Sequence, residues 1–572
     1  MTRVALVAAA FVAAVAVWGL ALPPRRSQLD PPWDDGTVRG ILHVHSRASD
    51  GRGTLDEIAA AAARAGLRFV VVTDHGDATR PPEPPAYRSG VLLLDGVEIS
   101  TRAGHYIAVG LPASPYPLGG DPADVVDDVH RLGGFGIVAH PDSPKPELRW
   151  ADWAAPVDAV ELINPDSSWR AHAYAGSVRS KWLLLSALLS YPVRPAEAIG
   201  ELLTDSTPLR DRWMMLTTTR PVVGLAGADA HAKLALRSRD SGDNRYSIPM
   251  PSYESLFESL SVHVTPGRPF SGDAAADARA LIDGLRGGRL YVAVDSWASP
   301  PAFSLTATTP TAAADEGQTL MAGSHVTLHI KSNAPAGYRT VVWNTRQMLA
   351  DRTDAVFDLP VGDGPAVYRV AIMRNGHTGA PPWITSNPVY VRATSGDVPS
   401  PPPDLSRAAG RPLFDGRSTS GWSQESDKTS LAVVDVAPLV TGARLRLKFG
   451  LSGGAAIGQY AAAAVATPRG VADSDALAFS VRAATPMRIS VQVRAEVSGG
   501  LPERWERSVF VDANDRERRV RFGDMTPVGR THAARPPVLD VRTVMFVVDT
   551  TNTKPGSSGR LWIGNVRLAP LR

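Results

Sequence analysis

Between residues 38 and 294 short, wholly apolar β segments alternate with helical patterns, and no other feature of this chain restricts its fold as strongly. "VRGILHV" reads as a strand. "TLDEIAAAAARAG" reads as a helix, with Thr54 as N-cap, Glu57 completing a capping box and Gly66 closing the C-terminus. "LRFVVVTDH", "VLLLDGVEIS", "HYIAVGL", "FGIVAHP", "VDAVELIN" and "PVVGLAGADAH" read as further strands; "DPADVVDDVHRLGG" and most of 166–216 read as helical. A strand apolar on both faces must be covered on both, which points to parallel β/α architecture. Seven or eight such strands predict a barrel.

The pattern changes near residue 299. "FSLTAT", "HVTLHIKS", "RTVVWN", "AVFDLP", "AVYRVAIMR" and "PVYVR" alternate apolar and polar residues between turns, which predicts a β-sandwich over 299–393. Residues 394–412 form a Pro/Ser-rich linker, and 413–572 carry a second, larger set of strands. At 572 residues and 44% hydrophobic content the chain is long and apolar enough for several such cores. Its 60 basic and 57 acidic residues are nearly balanced and form no basic run, so nucleic acid is not an expected partner.

The N-terminus bears on location. Val4 to Leu22 is nineteen residues without a charge. As a helix it would reach roughly 28 Å, close to a bilayer core. Residues 1–22 therefore read as a signal anchor, or as a cleaved signal peptide, with 23–37 as a Pro-rich tether. Arg3 precedes the segment and Arg25 and Arg26 follow it, a charge order that runs against export. An apolar N-terminus ahead of a soluble body is nonetheless an export signal. The expected place is membrane-anchored and extracytoplasmic, or secreted or periplasmic after cleavage.

Metal-ligand residue types stand at the ends of the apolar strands. The first carries His43 and His45, with Asp50 just beyond; the second ends in Asp74 and His75; Glu98 follows in "GVEIS". His105 opens the next strand, His140 closes "IVAHP", and Asp229 and His231 close "GADAH". Six of the thirteen histidines fall at these positions. An isolated His-x-His is also met as two solvated side chains, but barrel active sites assemble from the C-terminal ends of several strands. The chain has no cysteine, so a metal here must be held by His, Asp or Glu.

"HVHSRASDG", "TDH", "GVEIS" with His105, "AHP" and "GADAH" match, in order, the motifs of the PHP (polymerase and histidinol phosphatase) metallohydrolases, which residues 38–298 resemble. "YSIPMPSYESLF", "SGDAAADARALIDGLRGGRLYVAVD" and "PPWITSNPVYV" look like the carbaryl-hydrolase-like (CehA/McbA) branch, in which the barrel is followed by a small sandwich. The resemblance implies a distorted (β/α)7 TIM-like barrel followed by two β-sandwiches. The first is immunoglobulin-like; the second, with "RTVMFVVDTTN" and "LWIGNVRL", resembles galactose-binding-like jelly rolls of carbohydrate-binding modules.

The resemblance also implies two or three divalent ions (zinc, manganese or iron). His43, His45, Glu98 and Asp229 would hold one, Glu98 with His105 and His140 a second, and Asp50, His75 and His231 a third. Asp74 is expected to support the site without ligating. Cations bridged by a carboxylate acidify a shared water and neutralise charge on the oxygens under attack. Asp50, His75 and Glu98 would be the catalytic residues. The expected substrate is a small phosphomonoester or phosphodiester, held by cations drawn from Arg102, Lys145, Arg170, Lys233 and Arg245. A carbamate, ester or amide is the alternative, and a non-catalytic envelope binding or scaffold protein is the alternative of another class. The last sandwich would contact carbohydrate or cell envelope. The helical "WLLLSALLS" is expected to cover the barrel, Trp422, Trp505 and Trp562 to be core residues, His130 to be solvated, and Asn164, beyond the strand holding Glu161, to be near the site.

Overall fold

The computed structural model describes residues 18–19, 22–30, 33–235, 247–321, 325–362, 364–392, 410–440, 442–454, 458–497 and 500–570. Most of the apolar segment at 4–22, most of the linker at 394–412, and Arg245 lie outside the described residues. Among the described residues no helix is long and apolar enough to cross a membrane. The chain divides into two compact units. The first is Met1–Asp77, Pro81–Pro112 and Val125–Asp397; the second is Ala78–Arg80, Ala113–Asp124 and Val398–Arg572.

Seven strands close a barrel in the first unit: β1 Val38–Val44, β2 Phe69–Val72, β3 Val91–Thr101, β4 Gly104–Val109, β5 Phe135–Val138, β6 Ala159–Ile163 and β7 Val223–Ala230. They pair in chain order, and β7 closes on β1. Ile41, Val70, Leu92, Ile107, Ile137 and Leu225, one from each of six strands, are fully buried. The ring departs from a regular (β/α)7 alternation in two ways. β4 runs antiparallel to both neighbours, because only a two-residue turn separates it from β3, and parallel strands need a crossover of a dozen residues or more. Among the described residues, helices intervene in three of the six connections. These are α1 (Leu55–Arg64) after β1, α2 (Pro122–Arg131) after β4, and α3 (Pro165–Tyr174), α4 (Val178–Ser190), α5 (Pro195–Gly200) and α6 (Thr207–Thr219) after β6. Helix α1 is capped as the sequence predicts: Thr54 and Glu57 make the reciprocal capping box, and Gly66 follows at φ +74°.

β1 changes partner midway. Its first residues pair with Ser261–Val264 and its last with β7. From Ser261–Val264 the sheet continues through Leu290–Ala293 to Ile384–Ser386, a strand of the first sandwich. Barrel and first sandwich thus share a sheet, and one buried cluster runs from Ile41 to Val391. The apolar strands fix the barrel; its rim is free to carry polar side chains.

The second unit contains two six-stranded antiparallel sheets around a core that includes Phe479, Phe546 and Trp505. Trp505 and Trp422 are buried, and Trp562 is half-buried beneath Arg482, whose guanidinium carbon lies 3.9 Å from the ring centroid.

Candidate metal centre

All nine sequence-predicted ligands come together at one rim of the barrel. They fall into four groups whose ligand atoms lie within 4.8 Å of one another: His45, Asp50, His75 and His231; His43, Glu98 and His140; His43, His45 and Asp229; His75, Glu98 and His105. The reversed direction of β4 explains His105. It stands at the start of its strand, so it reaches the same rim as side chains at the ends of the parallel strands.

The two leading histidines arrive by an unexpected route. Strand alternation predicts that His43 and His45 share a face. Instead, β1 ends at Val44, His43 sits at φ +61°, and the register shifts there against both β2 and β7. His140 (φ +29°) and Asp229 (φ +48°) are also left-handed. Such backbone is costly for non-glycine residues and collects at functional sites.

Glu98 is the hub. It is 1% exposed. Its Oε2 lies 3.3 Å from His43 Nε2, 3.2 Å from His45 Nε2 and 3.3 Å from His75 Nδ1. Its Oε1 lies 2.8 Å from His105 Nδ1 and 3.0 Å from His140 Nε2. Asp229 Oδ1 completes one side, 3.4 Å from His43 Nε2 and 3.6 Å from His45 Nε2. Despite these short separations, His43 Nε2 and His45 Nε2 are buried and make no hydrogen bond. Leaving such nitrogens unbonded costs about 1–3 kcal/mol each. Buried nitrogens and carboxylate oxygens that converge without bonding one another suit a divalent cation between them, and imidazole with carboxylate is a donor set for zinc, manganese or iron.

Electrostatics agree. Burial works to raise the Glu98 carboxyl, but the charge of His43 and the bonds to His105 and His140 outweigh it and hold Glu98 well below the usual range. Burial likewise opposes ionisation of Asp50, yet His231, His45 and His75 bring it down to about 2. His231 and His140 are lowered by burial but raised more by their carboxylate partners, Asp50 and Asp229 for the first and chiefly Glu98 for the second, each reaching about 9. Burial and the His231 charge lower His45.

These shifts have a sign that can be measured. With folded values of about 9 against an ordinary 6.5, His140 and His231 stabilise the metal-free fold fully below pH 6.5 and lose that contribution as pH rises through 9. Asp50 behaves oppositely, contributing above its ordinary 3.8 and losing the contribution as pH falls through about 2. A cation must displace the histidine protons. Apparent affinity for Zn²⁺ or Mn²⁺ should therefore climb between pH 6.5 and 9, with proton release on loading. Titration in weak buffer measures both, and a flat affinity with no released proton would contradict this electrostatic picture.

Several residues hold the ligands in place. Glu161, in the otherwise apolar β6, accepts from His43 Nδ1 at 2.6 Å and from the His140 backbone N–H at 2.7 Å. Asn164 Nδ2 donates to Glu161 at 3.0 Å, while Asn164 Oδ1 caps α3. Carboxylates of this kind orient a ligating histidine and fix its tautomer. Glu161 is not among the site residues that the sequence predicts; a lone carboxylate inside an apolar strand is its signal. Asp74 accepts from Ser46 N, Ser46 Oγ and Ser49 Oγ, tying down the loop after His45. Tyr253 Oη donates to the His45 carbonyl at 2.7 Å and receives Gly53 N–H. His130 lies elsewhere, bonded to Asp158 at 2.8 Å.

A cleft of about 530 Å³ adjoins the cluster, with Asp50, Asp229 and His231 in its wall. Lys145, Arg170 and Lys233 line it too; Arg102 does not. Arg170 pairs with Asp166 and stacks on Trp169, and Lys233 Nζ donates to the Asp50 carbonyl at 3.2 Å. Another part of its wall is apolar and includes Leu184, Ala187, Leu188 and Tyr191. The helix expected to cover the barrel therefore lines the cleft, and the residues it buries are Ser180 and Ser190.

No family model matches the chain, and no curated protein matches it. Among solved structures it is similar to a two-domain protein containing a predicted PHP-like metal-dependent phosphoesterase from Bacteroides vulgatus, at 15% identity over 64% of this chain and 99% of that one, with a TM-score of 0.27. It is also similar to the family 11 carbohydrate-binding module of a cellulosomal cellulase of Clostridium thermocellum (14% identity, 29% of this chain, 97% of that one, TM-score 0.25). A family 30 carbohydrate-binding module matches at 11% identity over 28% of this chain and 99% of that one, with a TM-score of 0.23.

Proposed function

We propose that this chain is a metal-dependent hydrolase of the PHP class, in the carbaryl-hydrolase-like arrangement of a distorted barrel (38–298) followed by sandwiches at 299–393 and 413–572, acting on phosphoesters. The observation that carries the reading is Glu98, a buried carboxylate facing five imidazoles, beside two buried imidazole nitrogens that bond to nothing. His43, His45, Glu98 and Asp229 would hold one cation, Glu98, His105 and His140 a second, and Asp50, His75 and His231 a third. When bound, the cations supply an acidified water and neutralise charge on the phosphoryl oxygens.

The chain's own residues do the rest. Glu161 accepts a hydrogen bond from His43 Nδ1, which leaves Nε2 to face the site and to offer its lone pair when a cation is bound. Asp50 is ionised at neutral pH, and its Oδ2 lies 3.7 Å from Nε2 of His75, a ring about one-third exposed. Where no third cation is held, Asp50 and the partly exposed His75 ring are the groups that can take up a proton released at the site. Lys145, Arg170 and Lys233 offer positive charge to the substrate phosphate in the adjoining cleft. The apolar wall of that cleft also suits an aryl carbamate or ester. The protein would act outside the cytoplasm, anchored by residues 1–22, with the last sandwich against envelope carbohydrate.

Metal content of the full chain, and turnover on 4-nitrophenyl phosphate, bis(4-nitrophenyl) phosphate and an aryl carbamate, test the reading. Chelation should abolish turnover and metal should restore it. Protein that binds no divalent metal and turns over none of the three would leave the scaffold alternative standing.

A further inference from the structure

The exposed helix α4 (Val178–Ser190) is apolar where a soluble protein is ordinarily polar. Trp182 is 55% exposed, Leu185 46% and Leu189 45%, and Val193 beyond the helix is 51% exposed. Arg179 and Lys181 stand exposed among them. A cluster of exposed apolar side chains of this kind marks a contact surface, and exposed tryptophan and leucine with basic residues beside them suit a lipid interface.

The same patch is where the N-terminal apolar segment ends. Trp18 Nε1 donates to the Leu189 carbonyl at 2.9 Å. Arg194 donates to the Pro23 carbonyl, and Arg26 N–H reaches Glu197 Oε1 at 3.3 Å. The chain leaving the nineteen-residue uncharged run at 4–22 is thus tied at three points between residues 189 and 197. If that run lies in a bilayer, α4 lies against the bilayer surface. Helix α4 also supplies Leu184 and Leu188 to the apolar wall of the cleft, and Asp229 and His231 line the same cleft.

We propose that α4 is a membrane-contact surface and that the cleft takes an amphiphilic phosphoester from the lipid layer, its hydrocarbon chain along Leu184 and Leu188 and its phosphate at the metal centre. The substrate class rests on the hydrolase reading above; the membrane contact does not. Because the chain has no cysteine, Leu185→Cys gives a unique site for a nitroxide in the full-length protein, with Ala275→Cys, exposed on the helix Ala274–Arg286, as the reference. In vesicles of phosphatidylcholine and phosphatidylglycerol, the label at 185 should be relaxed by dissolved oxygen and protected from a water-soluble nickel chelate, at least about threefold relative to position 275, as a side chain seated at the headgroup boundary would be. Equal accessibility at the two positions would overturn the proposal, as would dipolar broadening at 185, which would mean that a second copy covers the patch.

Turnover supplies the second arm. Leu185→Glu with Leu189→Glu should lower hydrolysis of a long-chain phosphatidate in vesicles at least about tenfold and leave 4-nitrophenyl phosphate unchanged, because charge on the apolar face opposes interfacial binding alone. Equal loss on both substrates, or on neither, would refute lipid delivery. Absence of turnover on both in the unsubstituted protein would refute the phosphoesterase reading and the substrate assignment, while the label at 185 would still report on the membrane contact.

Discussion

Glu98→Gln is expected to lose at least one bound cation and at least about a hundredfold in turnover, in keeping with what metal-activated water contributes. The substitution preserves size and hydrogen-bonding shape and removes one negative charge. That charge faces five imidazoles from a residue that is 1% exposed, so no solvent screens its loss. Two adjacent cations would then repel with less compensation. The amide also places an N–H donor where an oxygen now faces either His43, His45 and His75 or His105 and His140. The fold should survive, because β3 rests on Val91, Leu92, Leu93 and Leu94, all buried in the barrel. His130→Gln is the control, since its partner Asp158 lies outside the cluster. Metal stoichiometry, circular dichroism and turnover on both variants decide it; full metal and near-normal turnover in Glu98→Gln would remove the bridging assignment.

The residue types at the site are legible in the sequence because each stands beside an apolar run. How they meet is less so. Simple alternation makes His43 and His45 converge, yet His43 converges from a left-handed position in a register shift, with neither glycine nor proline to announce it. The antiparallel β4 is legible in principle: two residues between "VLLLDGVEIST" and "GHYIAV" cannot hold a crossover. The resemblance to a (β/α)7 ring draws attention away from that gap. Helix α4 departs from expectation for another reason. Its leucines fit a buried cover and an exposed lipid-facing surface equally well, because composition carries no information about what lies opposite. Glu161 enters the sequence reading only as a neighbour of Asn164, although a carboxylate within β6 has to be satisfied by something, and here that is His43 and His140.

The support from Glu161 leads to a residue with no functional chemistry of its own. Gly227→Ala should weaken metal binding and lower turnover by about ten- to a hundredfold, as loss of a ligand-orienting group does. Gly227 lies within β7, and a Cβ there would sit 1.8 Å from Glu161 Oε1 and 2.4 Å from its carboxyl carbon. A free side chain could swing away, but this carboxylate is held by His43 Nδ1, His140 N–H and Asn164 Nδ2. Making room for the methyl group therefore breaks the bonds that orient two ligands. Overpacking would also cost the fold about 1–3 kcal/mol. A merely structural defect can be separated from a positioning defect by shortening the obstructing side chain. Glu161→Asp in the Gly227→Ala background withdraws the carboxylate by one methylene and should recover part of the metal affinity, although Glu161→Asp alone should lose some. Such a pair would be strongly non-additive in a double-mutant cycle, as expected for groups in contact. Additive losses, or wild-type metal affinity in Gly227→Ala, would mean that Glu161 does not set the pose of His43.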